Sequence, residues 1–182
     1  MMNKKNSSNN SDRVIVVTGG LGLIGLRVSK LLINEGYKVI IIDIDKNKFE
    51  KEFLNNNHNI FFYNVNIDTK DSIEFVFNEI TKSFKEIHSI IHCSYPRTED
   101  WGVGFEYLEE SSLKQNLYLQ LGISILISQK TMQIFLKQNK GNLIFFSSIL
   151  GVRAPKFDQY KDTSMTTPIE YSAIKSGIIS IT

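Results

Sequence analysis

Two groups of residues in this chain have types and spacings that do chemistry. The first is Tyr171-Ser172-Ala173-Ile174-Lys175. Four residues is about one helical turn, so on a helix the phenol and the ammonium share a face. A phenol with its ordinary pKa of about 10 is a poor proton shuttle at neutral pH. A neighbouring ammonium stabilises the phenolate and draws that pKa toward the working range. Upstream, Ser148 closes Phe145-Phe146-Ser147-Ser148 and offers a hydroxyl to a reacting oxygen, with Ser147 the second choice. The other group is Thr18-Gly19-Gly20-Leu21-Gly22-Leu23-Ile24-Gly25, near the amino end. Glycines let a chain turn tightly and let a pyrophosphate approach the backbone, and a following helix presents free N–H groups. Each group alone is a weak indicator. A Tyr and a Lys one turn apart also occur on solvated helix faces, and a glycine-rich turn also packs helix on sheet without a ligand.

These groups need elements to hold them. Val14-Ile15-Val16-Val17 is a β-branched run that reads as a buried parallel strand leading into the glycines. Ile24, Val28, Leu31 and Leu32 recur at helical spacing over residues 23–34, and Gly36 stops that helix. A second strand, Val39-Ile40-Ile41-Ile42, ends at Asp43, followed by a polar helix over 46–55 and a third strand at Ile60-Phe61-Phe62-Tyr63. Ile73, Val76, Phe77 and Ile80 mark an amphipathic helix, and residues 87–92 a fourth strand. Residues 113–136 read as one long helix and 142–147 as a fifth strand. A last helix begins near Pro168, a favourable first-turn residue. Strands alternating with helices call for an α/β fold, a doubly wound parallel sheet of about five strands. Residues 13–182 form one domain in this reading, behind a disordered polar tail over 1–12.

Composition narrows the function. Hydrophobic residues make up 42% and charged residues 22%, ordinary for a soluble globular protein. The net charge of +2 comes from scattered charges, with no basic stripe for nucleic acid or for an anionic membrane surface. No apolar run is long enough to span a bilayer, and the amino end lacks the apolar core of a signal peptide. The single cysteine, Cys93, fits a reducing compartment, and the chain reads as cytoplasmic. Cys93 is expected to be buried and inert. His92 reads as a packed strand-end residue, and no Cys or His partners it at metal-ligand spacing, so no metal is expected.

The order of the two groups, phosphate-cradling turn first and Tyr–Lys pair well downstream, resembles the short-chain dehydrogenase/reductase family over nearly the whole chain. The resemblance implies an NAD(P)-binding Rossmann domain and an oxidoreductase that passes hydride between a nicotinamide cofactor and an alcohol or ketone. It implies that Tyr171 exchanges the substrate proton, helped by Lys175 and by the positive nicotinamide ring of oxidised cofactor. Lys175 also holds the nicotinamide ribose, Ser148 binds the reacting oxygen, and Asn116 matches the position that anchors a water beside the lysine. Cofactor contacts would come from Thr18, Gly19, Gly20, Gly22, Leu23, Ile24, Gly25, Asp43, Asn66, Ile67, Tyr171 and Lys175. Asp43 is placed to accept bonds from the adenosine ribose and to repel a 2′-phosphate, which favours NAD over NADP. The competing reading makes Asp43 a cap or loop carboxylate, a role Asp45 fills equally well. Asn66 takes a position that usually touches the adenine amine. Relatives associate into oligomers through the long helix and the helix of the Tyr–Lys pair.

Several features depart from the family pattern. Leu23 stands where the shorter branch carries glycine, and the Gly19/Gly22/Gly25 spacing is closer to the longer, sugar-nucleotide-modifying branch. That spacing keeps open an epimerase or dehydratase with tightly held NAD. His92-Cys93-Ser94-Tyr95 replaces the usual Asn-Asn-Ala-Gly. Relatives continue past the last helix with further strands, so a truncated, non-catalytic nucleotide-binding fragment is the third reading, with the fifth strand left as an exposed edge. The stretch from Ala154 to Pro168 is longer than usual, carries Phe157, Tyr160, Lys161 and Met165, and is expected over the active site. Together with Tyr95-Pro96-Arg97 it resembles dehydrogenases of bacterial surface-sugar and flagellin-glycan biosynthesis. The substrate is then a small molecule such as a sugar or sugar phosphate, met by Arg97, Arg153 and Lys156; the competing reading is a solvated surface loop.

Overall fold

A computed structural model describes residues 10–53, 58–163 and 166–182. The β-branched runs form the centre of a five-stranded sheet, β1 (Val14–Thr18), β2 (Lys38–Asp43), β3 (Ile60–Asn64), β4 (Ser89–His92) and β5 (Asn142–Phe145). Their order is β3-β2-β1-β4-β5. Val16 lies opposite Ile40 on one side and Ile90 on the other, and Ile40 opposite Phe61, all in parallel register. Val16, Val17, Ile40, Ile41 and Ile90 are fully buried, as strands of a parallel sheet covered on both faces must be. The strand order reverses direction between β1 and β4. Ligands of such sheets bind at that switch point, outside the carboxyl ends of the strands.

Six α-helices accompany the sheet among the described residues: α1 (Leu23–Asn34), α2 (Lys46–Glu52), α3 (Lys70–Ser83), α4 (Glu110–Leu117), α5 (Ile123–Gln138) and α6 (Ile169–Ser180). α3 buries Ile73, Val76, Phe77 and Ile80, and a reciprocal Thr69–Ser72 capping box opens it. α1 ends where Gly36 takes a φ of 86°, a left-handed conformation that glycine adopts without strain. Contacts along the chain gather into two compact units. One comprises residues up to Ser94 with Gln129–Ile144, the other Tyr95–Ser128 with Phe145–Thr182.

Local structure departs from expectation in three places. The buried face of α1 is Gly25 and Ser29, while Ile24 is 48% and Leu31 61% exposed. Small residues win that face because the helix comes close to the glycine turn, where Ser29 Oγ donates to the Gly20 carbonyl. At the amino end, Asn10–Asp12 form a 3-10 turn in place of tail, and Asn10 donates its side-chain N–H to the Glu35 carbonyl at 2.9 Å. Residues 1–9 of the expected tail lie outside the described residues, as do 54 and 55 of the helix expected over 46–55. Finally, the single long helix is divided by a π turn, Tyr118–Gly122, in which the Ile123 N–H reaches five residues back to the Tyr118 carbonyl. Ser124 Oγ donates to the Gln120 carbonyl there at 2.6 Å, a side-chain bond that competes with the regular helical ladder.

Candidate functional site

In the first unit, the glycine turn is defined by how closely its backbone packs. Gly19 has a φ of 62°, and a Cβ on it would lie 2.6 Å from Ser94 Cα. A Cβ on Gly25 would lie 2.1 Å from the Gly19 carbonyl oxygen, inside any allowed contact. Gly19 donates to the Ile42 carbonyl at 2.8 Å and accepts from the Gly22 N–H at 3.0 Å, which closes the turn. α1 then starts behind Gly22, whose extended backbone provides no side-chain cap. Gly22, Leu23 and Ile24 are exposed. Their setting, a first helical turn with amides that have no intrahelical acceptor, suits an anionic oxygen. A turn too tight for a side chain at Gly19 or Gly25, joined to an uncapped helix start, fits the pyrophosphate of a dinucleotide.

Asp43, at the end of β2, is locked to this turn. Its Oδ2 accepts from the Leu21 N–H at 2.9 Å, and its Oδ1 from the Ile44 N–H at 2.8 Å and the Asp45 N–H at 3.3 Å. The capping role falls to Asp45, which accepts from the Lys48 N–H at the start of α2. Thr18 is fully buried with its Oγ1 2.6 Å from His92 Nδ1, so His92 joins the carboxyl ends of β1 and β4. Cys93 is half-buried where full burial was expected, and that partial burial pushes its thiol up to about 12. Asn66 is exposed and donates its amide N–H to Asp68 at 2.8 Å, while Ile67 is buried.

The second unit gathers the proton-handling candidates. Tyr171 and Lys175 lie one turn apart on α6, with Lys175 Nζ 5.5 Å from the centroid of the Tyr171 ring. Lys175 is buried, donates to the Phe146 carbonyl at 2.6 Å, and is held below the usual lysine range by that burial. Ser147 Oγ donates to the Lys175 carbonyl at 2.7 Å, whereas Ser148 Oγ accepts from the Leu150 N–H and caps a 3-10 turn over Ile149–Gly151. Asn116, fully buried on α4, holds the chain that follows β4. Its Oδ1 accepts from the Thr98 N–H at 3.1 Å, and its Nδ2 donates to Thr98 Oγ1 at 2.9 Å and Glu170 Oε1 at 3.4 Å.

Three residues that sequence reasoning did not single out join this cluster. Buried Gln120 donates to the Pro96 carbonyl, buried Glu170 precedes Tyr171, and Trp101 packs against Tyr95 and Tyr171. An acid in a first helical turn ordinarily reads as a dipole partner, so Glu170 carried no sign of its burial. Trp101 had one mark in the sequence, as its only tryptophan. In the stretch after Ala154, Phe157–Tyr160 form a 3-10 turn and Thr167 donates to the Tyr160 hydroxyl at 2.6 Å. Arg97, Arg153, Lys156 and Lys161 are exposed, and Met165 lies outside the described residues.

The family model described as short chain dehydrogenase matches residues 13–182. The chain is 33% identical over 179 residues to the post-translational flagellin modification protein A of Campylobacter coli, covering 92% of this chain and 67% of that protein. It is 24% identical over 174 residues to the 7alpha-hydroxysteroid dehydrogenase of Bacteroides fragilis, covering 94% of this chain and 63% of that protein. Among solved structures, a short chain dehydrogenase from Leptospira borgpetersenii with bound NAD+ superposes with a TM-score of 0.81 at 22% identity, covering 100% and 67%. The chain thus spans about two thirds of the length of these relatives.

Proposed function

We propose that this chain, which belongs to the short chain dehydrogenase family, carries the site of an oxidoreductase that acts on an alcohol or ketone of a small molecule with NAD. The observation that carries this reading is the buried Lys175, its Nζ over the Tyr171 ring one turn away on α6. Tyr171 Oη gives or takes the proton of the reacting oxygen. Lys175 keeps positive charge beside that phenol and binds a cofactor ribose hydroxyl, while the Ser148 hydroxyl orients the reacting oxygen. Gly19, Gly20, Gly22 and Gly25, with the first-turn amides of α1, bind the pyrophosphate, flanked by Thr18, Leu23 and Ile24. Asn66 and Ile67 bound the adenine. The nicotinamide, when bound, supplies the hydride acceptor or donor. Asp43, fixed by the Leu21 amide, presents carboxylate charge that disfavours a 2′-phosphate, which supports NAD over NADP.

The finer reading is a sugar derivative as substrate. Exposed Arg97, Arg153 and Lys156, all in the second unit, support an acidic group on it. Exposed Tyr118, Ile125 and Ile179 support association with a second copy of the chain.

Replacement of Tyr171 by Phe tests the assignment. Turnover should fall by at least about 100-fold, while NADH binding stays within about threefold. Full turnover by the variant would remove Tyr171 from the mechanism, and tighter binding of NADPH than NADH would reverse the cofactor preference.

A further inference from the structure

The rings of Tyr95, Trp101 and Tyr171 meet in pairs at nearly right angles. Centroids are 5.8 Å apart for Tyr95–Trp101, 6.1 Å for Tyr95–Tyr171 and 6.4 Å for Trp101–Tyr171. Edge-to-face contacts of this kind hold aromatic rings in fixed orientations. The segment that delivers Tyr95 and Trp101 is itself clamped by buried amides, Gln120 on the Pro96 carbonyl and Asn116 on both the backbone and the side chain of Thr98. The Trp101 backbone N–H also donates to the Thr98 carbonyl. A buried polar frame therefore carries rings that are not sealed into a core, Tyr95 being 40% exposed and Trp101 and Tyr171 half-buried.

The charges around the rings select what they would take. The Arg97 guanidinium carbon lies 5.8 Å from the Tyr95 ring centroid, and Lys175 Nζ lies 5.4 Å from the same centroid. Of the nearby acids, Glu170 accepts from Asn116, and Asp100 accepts from Ser112 and Thr98, which hold the Asp100 carboxyl below the ordinary range. Exposed aromatic faces stack on the C–H face of a hydroxylated ring, and a guanidinium pairs with a phosphate or carboxylate on it. We propose that Tyr95 and Trp101 form the platform on which a six-membered sugar ring stacks beside Tyr171, with Arg97 pairing an acidic substituent of that sugar. This rests on the reading of Tyr171 as the proton carrier.

Trp101, as the only tryptophan in the chain, reports ring stacking directly through its emission, without turnover or cofactor. Glucose 6-phosphate, mannose 6-phosphate and glucuronate are titrated against the purified chain, beside acyclic sorbitol 6-phosphate and uncharged methyl glucoside. At least one charged ring compound should change the emission saturably. Sorbitol 6-phosphate should bind at least about tenfold more weakly, and Tyr95→Ala should weaken the ring compound by a similar factor. Arg97→Gln should bring the charged and uncharged rings to within about threefold of each other. The proposal is overturned by emission that no ring compound alters, by sorbitol 6-phosphate binding as well as the rings, or by unchanged affinity in Tyr95→Ala. Tyr171→Phe separates this from the functional reading: a kept emission response with kept turnover leaves the platform and removes the proton carrier.

Discussion

Gly25 illustrates how a single atom constrains this chain. The Cβ of any other residue would press on the Gly19 carbonyl, which belongs to backbone and cannot swing aside as a side chain would. Gly25→Ala should therefore destabilise the protein by about 2 kcal/mol or more, read from the urea midpoint, and weaken NADH binding in parallel. A loss well below this would show that the turn is looser than its contacts imply. Cys93 makes an opposite case, a reactive atom type made quiet by its surroundings. With its thiol pushed up to about 12, reaction with an aromatic disulfide at pH 8 should run at least about a hundredfold slower in the folded chain than in urea. Because the folded-state value is the higher one, the folded chain keeps a proton that the unfolded chain releases above about pH 8.5. The stabilising contribution of this group is thus complete below that pH and declines as pH rises toward the folded value. Comparable reaction rates in the folded and unfolded protein would contradict the partial burial of the thiol.

At the scale of elements, the clamp between α4, α6 and the segment after β4 is what gives the candidate site its arrangement. Asn116 donates to a carboxylate, Glu170, that is 4% exposed, while also holding Thr98. Truncation to Ala leaves that carboxylate without this donor and frees the Thr98 amide. Asn116→Ala should cost about 1–3 kcal/mol in urea denaturation, and the Trp101 emission should shift to the red as the segment loosens. An unchanged spectrum would mean that the segment is held by Gln120 and ring contacts alone. Sequence periodicity located α4 and α5 but ran them into one helix. In the π turn between them Ser124 bonds to the Gln120 carbonyl and the Gln120 side chain reaches the Pro96 carbonyl, and hydrophobic spacing registers neither contact.

At the scale of the molecule, protection should follow burial strand by strand. β1 and β2 have partners on both sides and fully buried cores, whereas β5 closes one end of the sheet and alternates exposed with half-buried residues, Ile144 being 37% exposed. Amide exchange should therefore be slowest in Val16, Val17, Ile40 and Ile41 and fastest among the strands in β5. Equal protection of β5 and β1 would show that another surface covers that edge. No helix among the described residues is long and apolar enough to cross a membrane.

The sequence by itself determined the succession of strands and helices, the tight glycine turn after β1, and the placing of Tyr171 and Lys175 on one helical face. Those features are local: β-branched runs, glycine's backbone freedom and a four-residue spacing act within a few residues of one another. Only the tertiary structure decided that α1 turns Gly25 and Ser29 inward and leaves Leu31 at the surface, because the limiting factor is how near the helix lies to the glycine turn. It decided that Asp43 holds the Leu21 amide and that Asp45 takes the cap. It also brought Trp101 against Tyr171 and Asn116 against Glu170, across chain separations that no spacing rule spans. Burial of a polar side chain depends on the company that distant segments supply, and a linear sequence does not contain that company.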